Sequence, residues 1–196
     1  MDGLTLAPAD AGVPAVDGIR VGIGGWVFPP WRGRFYPKGL VQRRELEYAS
    51  RQLSAIEING TYYGTQTPAV YAGWREQTPP GFVFTAKAPK RITQARALER
   101  TGPQVEDFVG GIAALEDRLG ALVWQFDAGT RIDRDAFAAF LGLLPREAGG
   151  RPLRHVLDVR DRGFVWRAIT AWPRCTPTRT STPTSPTPPP TSSMRG

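Results

Sequence analysis

Ser54-Ala55-Ile56-Glu57-Ile58-Asn59-Gly60-Thr61-Tyr62-Tyr63 reads as a short strand running into a turn. Side chains alternate between the two faces of a strand, so Ile56 and Ile58 share one face and Glu57 and Asn59 the other. The polar pair stands at the C-terminal end, just before a glycine and two tyrosines. A carboxylate and an amide are costly to bury unless hydrogen-bonded. Their place at the end of an otherwise apolar strand points to a polar pocket.

The pattern repeats on both sides of this stretch. Residues 19–24 read as a first strand, followed by a loop to Pro37 that is dense in aromatic rings and too rich in Gly and Pro to be regular. A short charged helix is expected over residues 42–53. A second over 68–77 opens on Pro68, where a missing N–H does no harm. Further strands are expected at 82–87, 121–126 and 154–160, and helices at about 103–119 and 133–144, with a loop over 88–93 and a short helical piece to about residue 172. Strands alternating with helices imply a parallel sheet covered by helices. Either an open doubly wound sheet or a (β/α) barrel satisfies this. Gly22-Ile23-Gly24-Gly25 does not run into a helix, which makes it a poor dinucleotide fingerprint.

Strand parity favours the barrel. Phe82, Phe84 and Ala86 oppose Val83, Thr85 and Lys87; Leu122, Trp124 and Phe126 oppose Val123 and Gln125; His155, Leu157 and Val159 oppose Arg154, Val156, Asp158 and Arg160. One face of each strand is apolar and suits packing under helices. The other becomes polar toward the C-terminal end, where barrels assemble their sites. Glu57, Asn59, Lys87, Gln125, Asp158 and Arg160 are therefore expected at one mouth. His155 has the parity of the helix-facing core.

The chain has 196 residues, 41% of them hydrophobic, which is enough for a core in one domain plus a tail. It has no apolar run long enough to span a membrane and no signal-peptide pattern, and the reading is cytoplasmic. One cysteine, Cys175, excludes an internal disulfide and a cysteine-based zinc site, and one histidine argues against a histidine-built metal site. The net charge of +7 is concentrated at the end: five arginines and no acid or lysine follow residue 161. The preceding residues hold 20 basic against 18 acidic side chains, a net of +2. A broad electrostatic footprint for nucleic acid is not supported.

Together these residues resemble the DUF72, or YecE-like, family of uncharacterised proteins. The matching motifs are Gly22-Ile23-Gly24-Gly25-Trp26 with Trp31, Gly33 and Phe35-Tyr36-Pro37; Glu57-Ile58-Asn59-Gly60-Thr61-Tyr62-Tyr63; Phe82-Val83-Phe84 with Lys87 and Ile92-Thr93; Leu119-Gly120 with Gln125-Phe126; and Asp158-Val159-Arg160. The resemblance runs from about Ile19 to Val165 and implies a TIM-type barrel, with no reaction attached to it. The family often has Ser at Gly24 or Gly25, His at Gln94 and Glu at Asp158. Its members continue through further βα units. Here the pattern stops near Trp172, and Thr, Pro, Ser and Arg dominate to Gly196.

The expected organisation is a flexible leader over residues 1–18, an incomplete barrel of about five of eight βα units over 19–172, and a disordered low-complexity tail over 173–196. A truncated or frameshifted family member would have this composition. Open outer strands favour self-association. For function, Glu57 and Asp158 are candidate acid/base groups. Lys87 and Arg160 are candidate anion binders, Asn59 and Gln125 orienting groups, and Trp26 and Tyr63 rings for stacking; Trp31 and Phe35 read as a small satellite core. No metal ligands or cofactor are assigned. The expected ligand is a small polar molecule, sugar-like or phosphorylated. The alternatives are a nucleic-acid-associated module stacking a base on Trp26 and Tyr63, or an inert product.

Overall fold

The structure, a computed structural model, describes residues 18–130 and 133–160. The expected leader (apart from Gly18), the helical piece before Trp172 and the low-complexity tail lie outside the described residues.

Five strands form one parallel sheet: β1 (Gly22–Gly24), β2 (Ala55–Ile58), β3 (Val83–Lys87), β4 (Leu119–Phe126) and, after a short antiparallel hairpin of β5 (Glu147–Ala148) and β6 (Arg151–Pro152), β7 (His155–Val159). The order across the sheet is β1-β2-β3-β4-β7, every pair parallel. Each new strand is added beside the last, in chain order. A doubly wound sheet would reverse its order at a switch point. The arrangement is the incomplete (β/α) barrel expected from strand parity.

Helices cover one face. They are α1 (Glu45–Gln52), α2 (Pro68–Gln77), α3 (Lys90–Thr93), α4 (Gly102–Ile112) and α5 (Arg134–Leu143). Val105, Phe108, Val109 and Ile112 form the buried stripe of α4, at helical spacing. Asp133 caps α5, its carboxylate accepting from the N–H groups of Asp135 at 3.1 Å and Ala136 at 2.9 Å. Under the helices lie Ile56, Ile58, Phe84, Ala86, Leu122, Trp124 and Phe126, all buried. On the opposite face Glu57, Val83, Thr85, Lys87 and Val123 are half-buried. Among the described residues no helix is long and apolar enough to cross a membrane.

A bulge keeps β4 in phase with its neighbour. Phe84 pairs with Leu119 but Thr85 with Ala121, so Gly120 is skipped. A Cβ at Gly120 would lie 2.3 Å from Val83 Cγ1 and 3.2 Å from the Phe84 carbonyl oxygen, which only glycine avoids. Because strand side chains alternate, the extra residue moves Leu122, Trp124 and Phe126 under the helices and Gln125 to the other face. Two elements escape the sequence reading. Lys90–Thr93 is a short helix where a loop was expected, and Gly149 and Gly150, both at positive φ, turn the β5–β6 hairpin.

His155 sits in the helix-side core, as its parity requires. Its Nδ1 accepts from Trp124 Nε1–H at 3.0 Å, so the ring proton belongs on Nε2, 2.8 Å from the Pro145 carbonyl oxygen. Burial pushes the imidazole below its ordinary value of 6.5, against a smaller upward effect of the Pro145 bond. The unfolded chain therefore takes up a proton on lowering the pH before the folded one does, and stability drops as pH falls below about 6.5. Urea midpoints measured from pH 7.5 to 5 should decline, and His155→Gln should flatten that decline. Parallel pH profiles for the two proteins would refute the assignment.

Candidate functional site

The strand ends deliver their polar side chains to the C-terminal mouth, and the register explains how. Gly24 pairs with Glu57, Glu57 with Thr85, Lys87 with Val123 and Gln125 with Asp158. Lys87 Nζ lies 3.7 Å from Glu57 Oε1. Thr61 ties the ends of β2 and β3 together, donating within 2.9 Å of the Ile58 carbonyl and 2.6 Å of the Lys87 carbonyl. On the far side, Arg160 continues the β7 ladder, its N–H donating to the Phe126 carbonyl at 2.9 Å. Its guanidinium reaches Asp158 Oδ2 at 3.0 Å and Gln125 Oε1 at 3.2 Å.

Asp127 joins the two halves. Its Oδ1 accepts from Gln125 Nε2 at 2.7 Å, and its Oδ2 from the Tyr62 hydroxyl at 3.1 Å and Gln94 Nε2 at 3.0 Å. Gln94 Nε2 also donates to the Tyr62 oxygen at 3.0 Å, and Lys87 Nζ stands 5.9 Å from the centre of the Tyr62 ring. The Gln125 hydrogen bond, then those of Gln94 and Tyr62 and the charge of Arg160, hold the Asp127 carboxyl below the usual carboxylate range, against the opposing effect of burial. The Tyr62 phenol is pushed up by burial first, then by its bond to Asp127 and that charge. Asp127 therefore stays ionised and Tyr62 stays protonated. The network runs Glu57, Lys87, Tyr62, Asp127, Gln125, Arg160, Asp158, with Gln94 bracing its centre.

Of the residues expected at the mouth, Glu57, Lys87, Gln125, Asp158 and Arg160 enter this chain of contacts. Asn59 leans on β1 instead: a Cβ at Gly24 would lie 2.7 Å from its Nδ2, so glycine leaves room for the amide. Tyr63 is exposed at the rim, its ring edge-on to Tyr62 and 5.3 Å from Lys90 Nζ. Trp26 is placed elsewhere. It packs edge-on against Trp74 of α2 at 5.0 Å and beside buried Phe84 at 6.2 Å, on the helix side of the sheet. Apolar Trp74 and Phe84 draw the indole into the core, so Trp26 and Tyr63 make their contacts on different sides of the sheet and form no common stacking platform. Trp31 and Phe35 pack with Tyr36 and Tyr48 as the satellite core read from the sequence.

Tyr62, Gln94 and Asp127 were not singled out as site residues. The signal for Asp127 was parity: it continues the row of Val123 and Gln125 one residue past the expected strand end. The inner face beneath the mouth forms a concavity of about 330 Å³ lined by Gly22, Gly24, Ala55, Glu57 and Thr85 among others. Among the described residues no three of His, Cys, Asp and Glu converge as a metal-ligating group.

A row of parallel strands with a polar network across their C-terminal ends defines the class: a (β/α)-barrel protein with its candidate site at the mouth. Comparison with known sequences narrows this. The model of the family described as "Protein of unknown function DUF72" matches residues 20–173, and the chain belongs to that family. It is similar to the UPF0759 protein YecE of Escherichia coli strain K12, with 32% identity over 140 residues, covering 70% of this chain and 48% of the relative. The YecE protein of E. coli O157:H7 matches to the same extent. Two crystal structures of a DUF72 family protein (EF0366) from Enterococcus faecalis V583 share the fold. One has a TM-score of 0.55 at 20% identity over 72% of this chain and 50% of that chain; the other has 0.51 at 19% over 72% and 51%. The chain spans about half the length of the curated relatives it matches.

Proposed function

We propose that the mouth is a pocket for a small polar molecule, sugar-like or phosphorylated, in which Glu57 and Asp158 serve as acid/base groups. Lys87 and Arg160 hold the charges of those carboxylates in place, and Gln125 orients the ligand. One observation carries this reading: side chains from β2, β3, β4 and β7, distant in sequence, are linked into a single network at one end of the sheet. Polar groups at the C-terminal ends of barrel strands are placed where such folds bind substrates. Surface solvation alone gives no reason for four strands to converge.

The test is a thermal-shift screen of sugars, sugar phosphates and nucleotides, repeated with Glu57→Gln and Lys87→Ala. The Glu57–Lys87 pair is partly exposed, so each substitution should change the unliganded stability by only about 1 kcal/mol or less. Stabilisation by a ligand should persist in high salt and vanish in both variants. A response that both variants retain would remove the pocket from the mouth. Binding of oligonucleotides that collapses with salt would favour the nucleic-acid alternative.

A second observation supports self-association. Among the described residues the sheet order ends on β1 and β7, and Ile19 and Val21, leading into β1, are 69% and 65% exposed. Unpaired outer strands are templates for pairing. We propose a second copy as the occupant, its β1 continuing the parallel order beside β7. Light scattering on the eluting chain should give more than the mass of one chain. A monomer with a sharp, cooperative melt would overturn this.

A further inference from the structure

We infer that the mouth takes an uncharged, hydroxyl- or amide-bearing ligand and turns away anions, phosphorylated ones included. The inference rests on the reading of the mouth as a ligand pocket and narrows the class of molecule it accepts. It follows from the charge count across the network and from which groups are already committed.

The network holds three carboxylates, Glu57, Asp127 and Asp158, against two cations, Lys87 and Arg160. Each cation has its own acid: Lys87 is 3.7 Å from Glu57, and Arg160 is 3.0 Å from Asp158. Among the described residues Asp127 has no cation within salt-bridge distance. Its oxygens are filled by three uncharged donors, Gln125, Gln94 and Tyr62. Hydrogen bonds of this kind favour the charged form, and the carboxyl is indeed lowered. Arg160 also acts on Asp127 through its charge, yet three carboxylates against two cations leave the network, among the described residues, with a net charge of -1. Lys90, over the Tyr63 ring, is a cation near the mouth that stands outside the network, and it is exposed at the rim where water and salt screen it. Arg91 is bound to Asp107.

A phosphate entering here would meet Asp127 and would have to displace Glu57 from Lys87 or Asp158 from Arg160. A neutral ligand meets no such opposition. Gln94 Oε1 and the second amide hydrogen of Gln125 have no partner among the described residues, and the guanidinium of Arg160 keeps N–H groups beyond those given to Asp158 and Gln125. An acceptor and donors side by side suit a hydroxyl, which both gives and takes a hydrogen bond. The Tyr62 ring, next to them, offers an apolar face of the kind that ligand pockets combine with a few placed polar groups.

The experiment uses the full 196-residue chain and titrates three probes at equal ionic strength: methyl α-glucopyranoside, glucose 6-phosphate and inorganic phosphate. Binding is read from the amide resonances of residues around Tyr62, Gln94 and Gln125. The glycoside should perturb them at millimolar concentration, and the two phosphates should be weaker by about tenfold, the size expected for one unscreened charge near the ligand. Raising the salt concentration should narrow that gap in the unmodified chain, because it screens repulsion. Asp127→Asn should narrow it as well, and the salt series keeps the test decisive if that variant folds poorly. Phosphate binding at the mouth as tight as the glycoside, or a gap indifferent to salt, overturns the inference and leaves the pocket standing. Silence of these resonances to all three probes overturns both.

Discussion

Trp124→Ala should cost about 3–5 kcal/mol of stability, the range for deleting a large buried aromatic. Trp124 has no exposed surface. Its ring is edge-on to Phe108 of α4 at 6.0 Å and Phe140 of α5 at 5.4 Å, and stacks on His155 of β7 at 5.9 Å. One side chain thus joins β4, β7 and two helices. Truncation leaves a cavity where the rings met and removes the donor to His155 Nδ1. A buried acceptor without its donor adds its own cost of about 1–3 kcal/mol. Small domains have only about 5–15 kcal/mol in total, so the variant should lose most of its urea resistance. Trp124→Phe separates the two contributions, keeping most of the ring and losing the indole N–H. Circular dichroism at the backbone band is the proper probe, since the mutation removes a fluorophore. An unchanged urea midpoint for Trp124→Ala would mean that the helices do not pack on β4 as described.

The parts of this fold legible in the sequence are those set by short-range alternation. Ile56 and Ile58 against Glu57, and Phe84 and Ala86 against Lys87, read correctly because a strand buried on one face must alternate there. The helix over 68–77 read correctly because Pro68 opens it and Pro79-Pro80-Gly81 follows it. What was not legible depends on partners far along the chain. Nothing local to Trp26 announces Trp74, and the indole goes to the helix side because of that contact. The bulge at Gly120 is set by Val83 and Phe84 on the neighbouring strand. The expected strand began at Ala121, after the bulge, which is why its parity came out right without the bulge being seen.

The site shows the same division. Glu57, Lys87, Gln125, Asp158 and Arg160 could be gathered from parity alone, since each is polar at the end of an apolar strand. The expected strand ends at Phe126, one residue short of Asp127, so parity does not reach it. Yet its two oxygens make the contacts that turn two separate ion pairs into one network. Gln94 lies on a loop just after α3, where periodicity has nothing to say. A mouth built from loop residues is fixed by the scaffold under it and not by its own sequence.

The second large effect concerns a buried charge on the helix side. Glu45 opens α1 with no exposed surface. Its Oε1 accepts from Arg32 Nε at 2.7 Å, while Arg32 also donates to Gln42 Oε1 at 3.0 Å. Its Oε2 is buried without a hydrogen-bond partner among the described residues. Arg32 thus supplies the only charge in salt-bridge contact with this carboxylate among the described residues. Removing one member of a buried pair strands the other, at about 3–5 kcal/mol. Arg32 is 41% exposed, so water reaches its end of the pair, and Arg32→Ala should fall near the lower limit, about 3 kcal/mol. Adding Glu45→Gln should restore much of the loss, because the stranded charge is gone. The Tyr36 phenol gives an independent reading. Burial first, and the Glu45 charge second, push it up to about 12. In Glu45→Gln alone, ultraviolet titration should find it lower but still above its ordinary value, since burial remains. Equal stabilities for Arg32→Ala with and without Glu45→Gln would show that the carboxylate finds its compensation elsewhere, and the ion pair would then have no part in anchoring the aromatic loop to α1.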